Sequence, residues 1–359
     1  MHRIDDPTAA ADKHGPGKNG FTIGDALMGI AATRPTADIA DAVQEELAAP
    51  IEALGMALDK ANHQQLREVL WAMFDAFILR NWFEVVPDHA SGATALAVDP
   101  GGRLCAVGAG ASFTTSDDVV SQAALPGNSL AVAHDGSGLW CAVGLSLGMP
   151  DIRTSPDAIT WTYRSSVTAG TLLSIAHDGS GLWCAVGDTG SILTSPDGIT
   201  WTAQTSGTLE SLNSVAYDGS GLWCAVGEVG KILTSPDGVV WTPQASGTVE
   251  ALHGVAHDGS GLWCAVGFNG TLLTSPDGIT WTAQTSGTTD NISAVAHDQL
   301  RRWCAVDEGG GIRTSSGGQT WEPLPIVCMQ PLYCIARGSH GVWYVGGADS
   351  VIRTLKWGL

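Results

Sequence analysis

A segment of about 40 residues recurs along most of the chain, and a repeat of that length restricts the fold to an array of equivalent small units. Each of the first six copies contains one cysteine within the sequence Leu/Trp-Cys-Ala-Val, and Tyr344 occupies the equivalent position in the last copy. These cysteines are Cys105, Cys141, Cys184, Cys224, Cys264 and Cys304, and successive equivalent positions lie 36 to 43 residues apart. Seven repeats therefore run from about 93 to 357.

Each repeat contains four short strand-like segments. In the fourth copy these are LNSVAYD, LWCAVG, KILTS and VVWTPQ, and the turn signals DGSG, EVG and SPDG separate them. We name the strands a to d from the inside outward. A four-stranded sheet of this size cannot bury its own two faces. In a β-propeller the neighbouring blades cover them, so such a unit is typical of a propeller blade. The sequence thus predicts an all-β propeller over 81–359.

The two ends of the repeat region complement each other. The seventh repeat supplies LYCIARG, VWYVGG and VIRTL, and the chain then stops before a strand d. Upstream of the first repeat, NWFEVVPDHASG at 81–92 has the strand d pattern. A strand that completes the last blade would remove the open edges of the ring. We therefore predict a seven-bladed β-propeller closed by an N-terminal strand.

The eight cysteines do not form a disulfide pattern. The repeat itself separates equivalent cysteines, beyond the Cα distance of about 7 Å that a bridge tolerates. We expect the six repeat cysteines to be small buried hydrophobes in a reduced protein. Cys328 and Cys334 lie outside this pattern and could be close. No C-x-x-C motif is present, so we expect no metal site.

The turn between strands c and d carries the most regular motif, Ser-Pro-Asp-Gly followed by a tryptophan. Proline and aspartate suit the central turn positions, and the serine and aspartate side chains can form hydrogen bonds with the turn backbone. Altered copies begin at Ser155, where Ala158 replaces glycine, at Ser315 and at Ser116. Full copies contain Ser195, Asp197 and Trp201; Ser235, Asp237 and Trp241; and Ser275, Asp277 and Trp281.

SPDGITW resembles the Asp-box, S-x-D-x-G-x-T-W, of sialidase-like and photosystem-assembly-factor-like β-propellers, with one residue fewer before the glycine. The resemblance covers residues 81–357. It implies a propeller fold and a structural role for the box, away from the ligand face, whereas it specifies activity poorly. We interpret the motif as structural, because one catalytic centre does not require several copies of one turn.

Sialidases of this fold carry an arginine triad, a Tyr/Glu nucleophile pair and an aspartate that acts as the acid. Here Arg153, Arg313 and Arg353 instead share one strand c position, where other repeats have leucine, such as Leu193. No carboxylate pair can be placed on one substrate. We therefore expect a protein that is not an enzyme, with no catalytic residues and no cofactor.

A second recurring position ends strand a in the VAHD segment. A ring of these side chains could bind a metal or an anion, but Tyr217 interrupts it, and hydrogen bonding to the adjacent turn is the alternative that we favour. The histidines at this position are His134, His177, His257 and His297.

Variation between the near-identical repeats concentrates in two sets of loops. The a–b and c–d turns hardly change, whereas the b–c and d–a loops, which share the opposite face, differ between copies. Binding residues tend to lie on loops held by a rigid scaffold, and drift on a solvated face is the alternative. The candidate binding residues are Asp188, Glu210, Glu228, Glu250, Phe268, Asn269, Asp290 and Glu308.

The first 80 residues form a separate predicted region. Residues 1–20 are polar and rich in glycine and proline, and two helices are predicted at 36–62 and 63–81. The second has a wide apolar stripe that must dock on the propeller, on its own copies or on another protein. The predicted anchoring residues are Leu66, Leu70, Trp71, Phe74, Phe77 and Ile78.

The net charge of −19 argues against nucleic acid, and no apolar run is long enough to span a membrane. No secretion signal is seen. An anchoring N-terminus before a propeller resembles bacteriophage virion proteins of the tail or fibre kind. That resemblance implies a virion-associated structural protein that assembles in the host cytoplasm. Its helices would attach it to other virion proteins, or to sister subunits in a homo-oligomer. The propeller would be displayed to a glycan or protein of the host surface. The alternatives are a bacterial assembly or scaffold propeller with a protein client, and a glycan-active enzyme.

Overall fold

The computed structural model describes residues 84–86, 92–116, 119–168, 170–299, 302–327, 330–338, 342–348 and 352–356. Within these ranges the chain is all-β, with three short 3₁₀ turns at Asp188–Gly190, Glu228–Gly230 and Phe268–Gly270. The predicted helices at 36–62 and 63–81, with their anchoring side chains, lie outside the described residues. No helix of the described part is long and apolar enough to cross a membrane.

Five four-stranded antiparallel sheets follow the last five repeats, and we number them sheets 3 to 7. Sheet 3 contains β8 (Leu172–His177), β9 (Trp183–Gly187), β10 (Ile192–Ser195) and β11 (Thr202–Gln204). Sheet 4 contains β12 (Leu212–Tyr217), β13 (Trp223–Gly227), β14 (Ile232–Ser235) and β15 (Thr242–Gln244). Sheet 5 contains β16 (Leu252–His257), β17 (Trp263–Gly267), β18 (Leu272–Ser275) and β19 (Thr282–Ala283). Sheet 6 contains β20 (Ile292–His297), β21 (Trp303–Asp307), β22 (Gly311–Ser315) and β23 (Glu322–Val327).

Sheet 7 joins the two ends of the repeat region. It contains β24 (Leu332–Arg337), β25 (Val342–Gly347), β26 (Ile352–Lys356) and, at its edge, β1 (Glu84–Val86). β1 pairs antiparallel with β26, so the N-terminal strand occupies the strand d position that the sequence assigns to it. This pairing covers an edge that would otherwise present unpaired backbone groups.

The first two repeats form one six-stranded sheet instead of two separate ones. Its strands are β2 (Ala93–Val98), β3 (Leu104–Ser116), β4 (Val119–His134), β5 (Trp140–Ser146), β6 (Met149–Ser155) and β7 (Thr162–Arg164). The cause is the short spacing of 36 residues between Cys105 and Cys141. Strand d of the first repeat therefore runs directly into strand a of the second as β4, with no intervening loop.

Strand b of each sheet is buried on both sides. In sheet 4, Trp223 packs against Cys184 and Val186 of sheet 3. The next residue, Cys224, packs against Trp263 of sheet 5. Successive side chains of a strand point to opposite faces, so the continuous apolar run Trp-Cys-Ala-Val fills both intersheet layers. The strands a of successive repeats also contact one another in a closed cycle, in the order β2, β4, β8, β12, β16, β20, β24 and back to β2.

The described cysteines are all free thiols and are buried in these layers. Burial raises the pKa of the Cys184 thiol and of its equivalents in the other repeats, because the charged thiolate is disfavoured there. Cys334 is also free and buried, and burial raises its pKa to about 12. Cys328 lies outside the described residues.

Candidate functional site

The a–b and c–d turns lie together on one face, which we call the constant face. A Cβ atom on Gly198, in the c–d turn of sheet 3, would come 3.0 Å from Leu139 Cδ2, at the end of the preceding a–b turn. Gly238 lies against Leu182 in the same way in the next pair. The turns of neighbouring sheets thus lock together, and at a φ of +70° Gly198 also meets a backbone requirement that favours glycine.

The Ser-Pro-Asp-Gly turns are closed by their own side chains. In sheet 3, Asp197 accepts hydrogen bonds from the backbone N–H groups of Thr200 and Ile199, at 2.7 and 2.8 Å. Ser195 Oγ donates to the same carboxylate at 3.0 Å. The two backbone donors lower the pKa of Asp197, because they bond its charged form. The same bonds recur around Asp157, Asp237 and Asp277.

The altered copies keep the turn by other means. Ala158 adopts the left-handed conformation (φ 58°) that glycine occupies elsewhere. In sheet 6, which lacks the aspartate, Ser315 Oγ accepts a hydrogen bond from Gly318 N at 2.8 Å. Trp321 Nε1 donates to the Gly318 carbonyl at 2.9 Å, as the tryptophan of the full motif does. These contacts are internal to the fold, which agrees with a structural interpretation of the motif.

The a–b turns are equally self-contained. The Asp135 carboxylate accepts hydrogen bonds from the N–H groups of Ser137, Gly138 and Leu139, at 2.7 to 2.9 Å. Burial opposes the ionisation of Asp135, but these bonds outweigh it and lower its pKa to about 2. The carboxylates of the constant-face aspartates therefore accept hydrogen bonds mainly from their own turns.

The histidines that end strand a also bond their turns, as the favoured alternative predicts. His177 Nδ1 accepts the N–H of Gly179 at 3.0 Å, and its ring packs on Trp183 with centroids 4.6 Å apart. Burial lowers the pKa of His177 by disfavouring its charged form. The four residues with this arrangement, which we call the turn histidines, are His134, His177, His257 and His297. Among the described residues no three potential ligands gather to hold a metal ion.

The b–c and d–a loops meet on the opposite face, which we call the variable face. Asp188 N and Glu228 N, in the b–c loops of sheets 3 and 4, donate to the Thr171 and Ser211 carbonyls of the adjoining d–a loops, each at 2.9 Å. Ser211 Oγ also donates to Asp188 Oδ1 at 3.2 Å. The structure therefore brings the two predicted sets of variable loops into contact.

Three of the candidate carboxylates are each oriented by one asparagine amide. Asn213 Nδ2 donates to Glu228 Oε1 at 3.0 Å. Asn269 Nδ2 donates to Glu250 Oε2 at 3.1 Å. The third bond runs from Asn291 Nδ2 to Glu308 Oε2, at 2.8 Å.

These pairs are also linked to one another and to the loop backbone. Asn269 N donates to Asn291 Oδ1 at 3.1 Å, so the asparagine–glutamate pairs of sheets 5 and 6 form one connected network. Asp290 completes the group, since Thr288 Oγ1 donates to its Oδ2 at 3.3 Å. Glu210 makes only a backbone contact, from its N–H to Thr208 Oγ1, among the bonds of the described residues.

Large apolar side chains project from the same loops. Leu209, Val249 and Val229 are 85%, 77% and 58% exposed. Phe268 is partly exposed, and its ring meets His253 edge-on at 5.8 Å. Val229 has a φ of 55°, a conformation that β-branched residues rarely adopt. Thr189 and Asn269 take nearly the same φ at the equivalent positions, so the b–c turn itself imposes this conformation.

Two open grooves lie on the variable face, one lined partly by apolar side chains and one by polar residues and glycine. The first, of about 610 Å³, lies between the b–c loop of sheet 4 and the following d–a loop, and it is lined by Val229, Lys231, Pro243 and Val249. The second, of about 620 Å³, is formed by residues 284–289 at the equivalent place in sheet 5. The groove recurs in successive sheets because the repeats are nearly identical in sequence.

The strand c arginines serve the fold. Arg153 Nε lies 2.8 Å from Asp151 Oδ2, and Arg313 forms a pair with Asp307 at 3.4 Å. Both pairs are largely buried, and each arginine replaces the leucine of the other repeats. The side chain of Arg353 lies outside the described part.

Sequence reasoning missed Asn213 and Asn291, which orient two of the candidate carboxylates. Asn213 belongs to strand a, where Leu173, His253 and Ser293 stand in other repeats. Comparison of strand positions between repeats, in addition to loops, would have found it. Asn291 precedes strand a of sheet 6, and only the fold brings it next to Glu308.

Solved structures identify the architecture. YCF48 from Cyanidioschyzon merolae superposes with a TM-score of 0.61 at 20% identity, over 77% of this chain and 98% of that one. YCF48 bound to D1 peptide gives 0.63 at 18% identity, over 76% and 95%. Streptogramin B lyase gives 0.67 at 10% identity, over 75% and 94%. The fold is a β-propeller. At these identities the likeness establishes the fold alone.

Sequence comparison reaches less far. The chain matches no protein-family model. A stretch of 73 residues is 49% identical to the Uncharacterized protein StfP of Escherichia coli (strain K12), and it covers 20% of this chain and 35% of that protein. The chain thus spans about a third of the length of this curated relative.

Proposed function

We propose that this β-propeller is a non-enzymatic protein-binding module and that its variable face contacts the partner. One observation carries the proposal: the carboxylates of the two faces differ in how many hydrogen bonds they accept. On the constant face, the turn aspartates accept several backbone hydrogen bonds each. On the variable face, the candidate carboxylates receive at most one neutral donor each among the described residues, and exposed apolar side chains stand beside them. Both faces expose aliphatic side chains, so the difference lies in the carboxylates, which on the variable face keep acceptor sites for a partner.

The structural neighbours support a protein as the partner. One of them is a YCF48 structure with a bound D1 peptide, so a propeller of similar shape accommodates a polypeptide. The paired grooves of sheets 4 and 5 suit an extended chain better than a single sugar ring. We infer that this chain also binds a polypeptide segment.

We also infer a seven-bladed ring. The contact order of the strands a supports this number, because β2 and the C-terminal part of β4 each take a place in the closed cycle. In this interpretation the six-stranded sheet consists of two blades joined by the short connection within β4.

The placement of the protein in a bacteriophage virion belongs to the same proposal. Helices in residues 36–81 would attach the chain to other virion proteins or to sister subunits, and the propeller would face a host-surface protein or glycan. The freshly duplicated SPDGITW repeats support this placement through their resemblance to virion proteins. Detection of the chain by mass spectrometry in purified particles tests it, and particles without the chain would contradict it.

Site-specific photo-cross-linking tests the binding face. The full chain would carry p-benzoylphenylalanine in place of Val249 on the variable face or, as a control, Ile279 on the constant face. Both side chains are exposed, so the two variants differ in face rather than accessibility. We expect protein adducts from position 249 and none from position 279. Equal labelling at both positions would contradict the proposal.

The non-enzymatic part of the proposal has its own test. The full chain is incubated with a panel of glycans, and both binding and released sugar are measured. Binding of a glycan without protein adducts at position 249 would replace the protein partner by a carbohydrate. Release of sugar would overturn the proposal that the protein is not an enzyme.

A further inference from the structure

We propose that the polypeptide bound by the variable face is basic and apolar, with lysine or arginine side chains alternating with aliphatic ones. This inference rests on the proposed function and specifies the chemistry of its partner. The segment would lie across sheets 3 to 6, where the exposed apolar loops, the two grooves and the oriented carboxylates occur together.

The apolar part of the surface consists of side chains that are exposed in the described part of the chain. Leu209 and Val249 occupy equivalent d–a loop positions in successive repeats, and Val229 stands between them on a b–c loop. Val229 and Val249 border the same groove. An aliphatic side chain of the partner can enter this groove and remove apolar surface of both molecules from water, at about 25 cal/mol per Å².

The charge of the same loops selects a cationic partner. Their described residues carry six carboxylates against one base, Lys231. None of the six forms an ion pair within the described part of the chain, although Asp151 and Asp307, which lie in the strands, do. The six are Asp188, Glu210, Glu228, Glu250, Asp290 and Glu308.

Hydrogen bonding fixes three of these carboxylates without neutralising them. A carboxylate offers about four acceptor sites, and Glu228, Glu250 and Glu308 each receive one amide N–H in the described structure. The remaining acceptor sites stay available to an ammonium or guanidinium group. A side chain that is already oriented loses less conformational entropy when it binds.

Other occupants fit these observations less well. A divalent cation requires converging ligands, and the described residues contain no cluster of three. A second copy of the chain brings the same acidic loops and a net charge of −19, so like charges would meet. Nucleic acid is repelled for the same reason. A basic polypeptide matches both the sign of the charge and the adjacent apolar groups.

Fluorescence anisotropy with the full chain tests the proposal. The probes are a short labelled peptide that alternates lysine with valine, its counterpart with glutamate in place of lysine, and its counterpart with serine in place of valine. We expect the lysine–valine peptide to bind most tightly, and its affinity to fall as salt is raised, because 1 M salt shortens the screening length to about 3 Å.

Matched variants separate this face from the overall charge of the protein. Glu250→Gln should weaken binding of the lysine–valine peptide about two- to fivefold, as expected for an exposed ion pair. Glu322→Gln, at an exposed position of the edge strand β23 and not in the variable loops, removes the same charge and should leave the affinity within about twofold. Val249→Ser should weaken the lysine–valine peptide but not the lysine–serine peptide.

Equal effects of Glu250→Gln and Glu322→Gln, or tighter binding of the glutamate peptide, would overturn the proposal. The cross-linking experiment distinguishes this failure from that of the proposed function. If position 249 captures a protein segment that is acidic or uncharged, the face binds protein and the inference about charge is wrong. Capture of a basic, valine- or leucine-containing segment would support both.

Discussion

The buried pair of Asp307 and Arg313 offers a quantitative test of how the repeats are built. The Arg313 guanidinium lies 3.4 Å from Asp307 Oδ2, and the two side chains are 11% and 2% exposed. Asp307 Oδ1 also accepts the N–H of Gly311 at 2.6 Å. In sheets 3 to 5 the corresponding positions are glycine and leucine, for example Gly187 and Leu193. The same pair of positions is therefore filled by a charged pair in sheet 6 and by uncharged residues in sheets 3 to 5.

Asp307→Gly alone should lower the free energy of unfolding by about 3–5 kcal/mol, because Arg313 would stay buried without its counter-ion. The double substitution Asp307→Gly with Arg313→Leu restores the residues of the other repeats. Replacement of a buried pair by a packed hydrophobe is neutral or stabilising by about 1–4 kcal/mol. The double variant should therefore be at least as stable as the parent.

Urea denaturation followed by tryptophan fluorescence measures both variants, since a buried tryptophan lies in strand b of sheets 3 to 7. The double variant should recover the midpoint that Asp307→Gly loses. A double variant as unstable as the single one would refute the reasoning, because the loss would then come from the loop backbone and not from an unpaired charge.

Four further outcomes follow from the geometry. Asp277→Ala removes a carboxylate that accepts two backbone N–H bonds, and a loss of about 1–3 kcal/mol is expected in the same urea experiment, with no change in partner binding. Val229→Asn relieves a left-handed β-branched residue, so calorimetry should show a stabilisation of about 1 kcal/mol. Burial lowers the pKa of the turn histidines below 6.5; the folded chain then binds fewer protons than the unfolded one, and urea midpoints should fall as pH decreases below about 6.5. The repeat cysteines should resist iodoacetamide until urea unfolds the chain, as counted by mass spectrometry, because burial raises their pKa.

Local features were predictable from the sequence because their causes are local. The Ser-Pro-Asp-Gly turn bonds residues within four positions of one another, as the contacts of Asp197 with Ile199 and Thr200 illustrate. The strand pattern and the apolar Trp-Cys-Ala-Val run also act within one repeat. The partnership of β1 with β26 joins distant segments, yet it followed from the missing strand d of the last repeat.

Features that depend on neighbouring loops were only partly predictable. The variable loops could be located by comparing repeats, but the bond from Asn291 to Glu308 joins residues 17 positions apart and depends on the exact path of both loops. The pairing of Arg313 with Asp307 could not be predicted. The sequence shows an arginine where other repeats have leucine, but it does not show which residue that arginine contacts. The fused sheet of the first two repeats was visible in advance only as a shorter spacing.

The central claim, that the variable face binds a polypeptide, is tested most directly by the affinity of the full chain for the segment captured at position 249. The parent is compared with Leu209→Ser/Val249→Ser on the variable face and with Ile199→Ser/Ile279→Ser on the constant face; both pairs remove exposed aliphatic side chains. We predict that the first pair weakens binding about tenfold, equivalent to about 1.4 kcal/mol, and that the second changes it by less than about twofold. A larger loss from the constant-face pair would contradict the account.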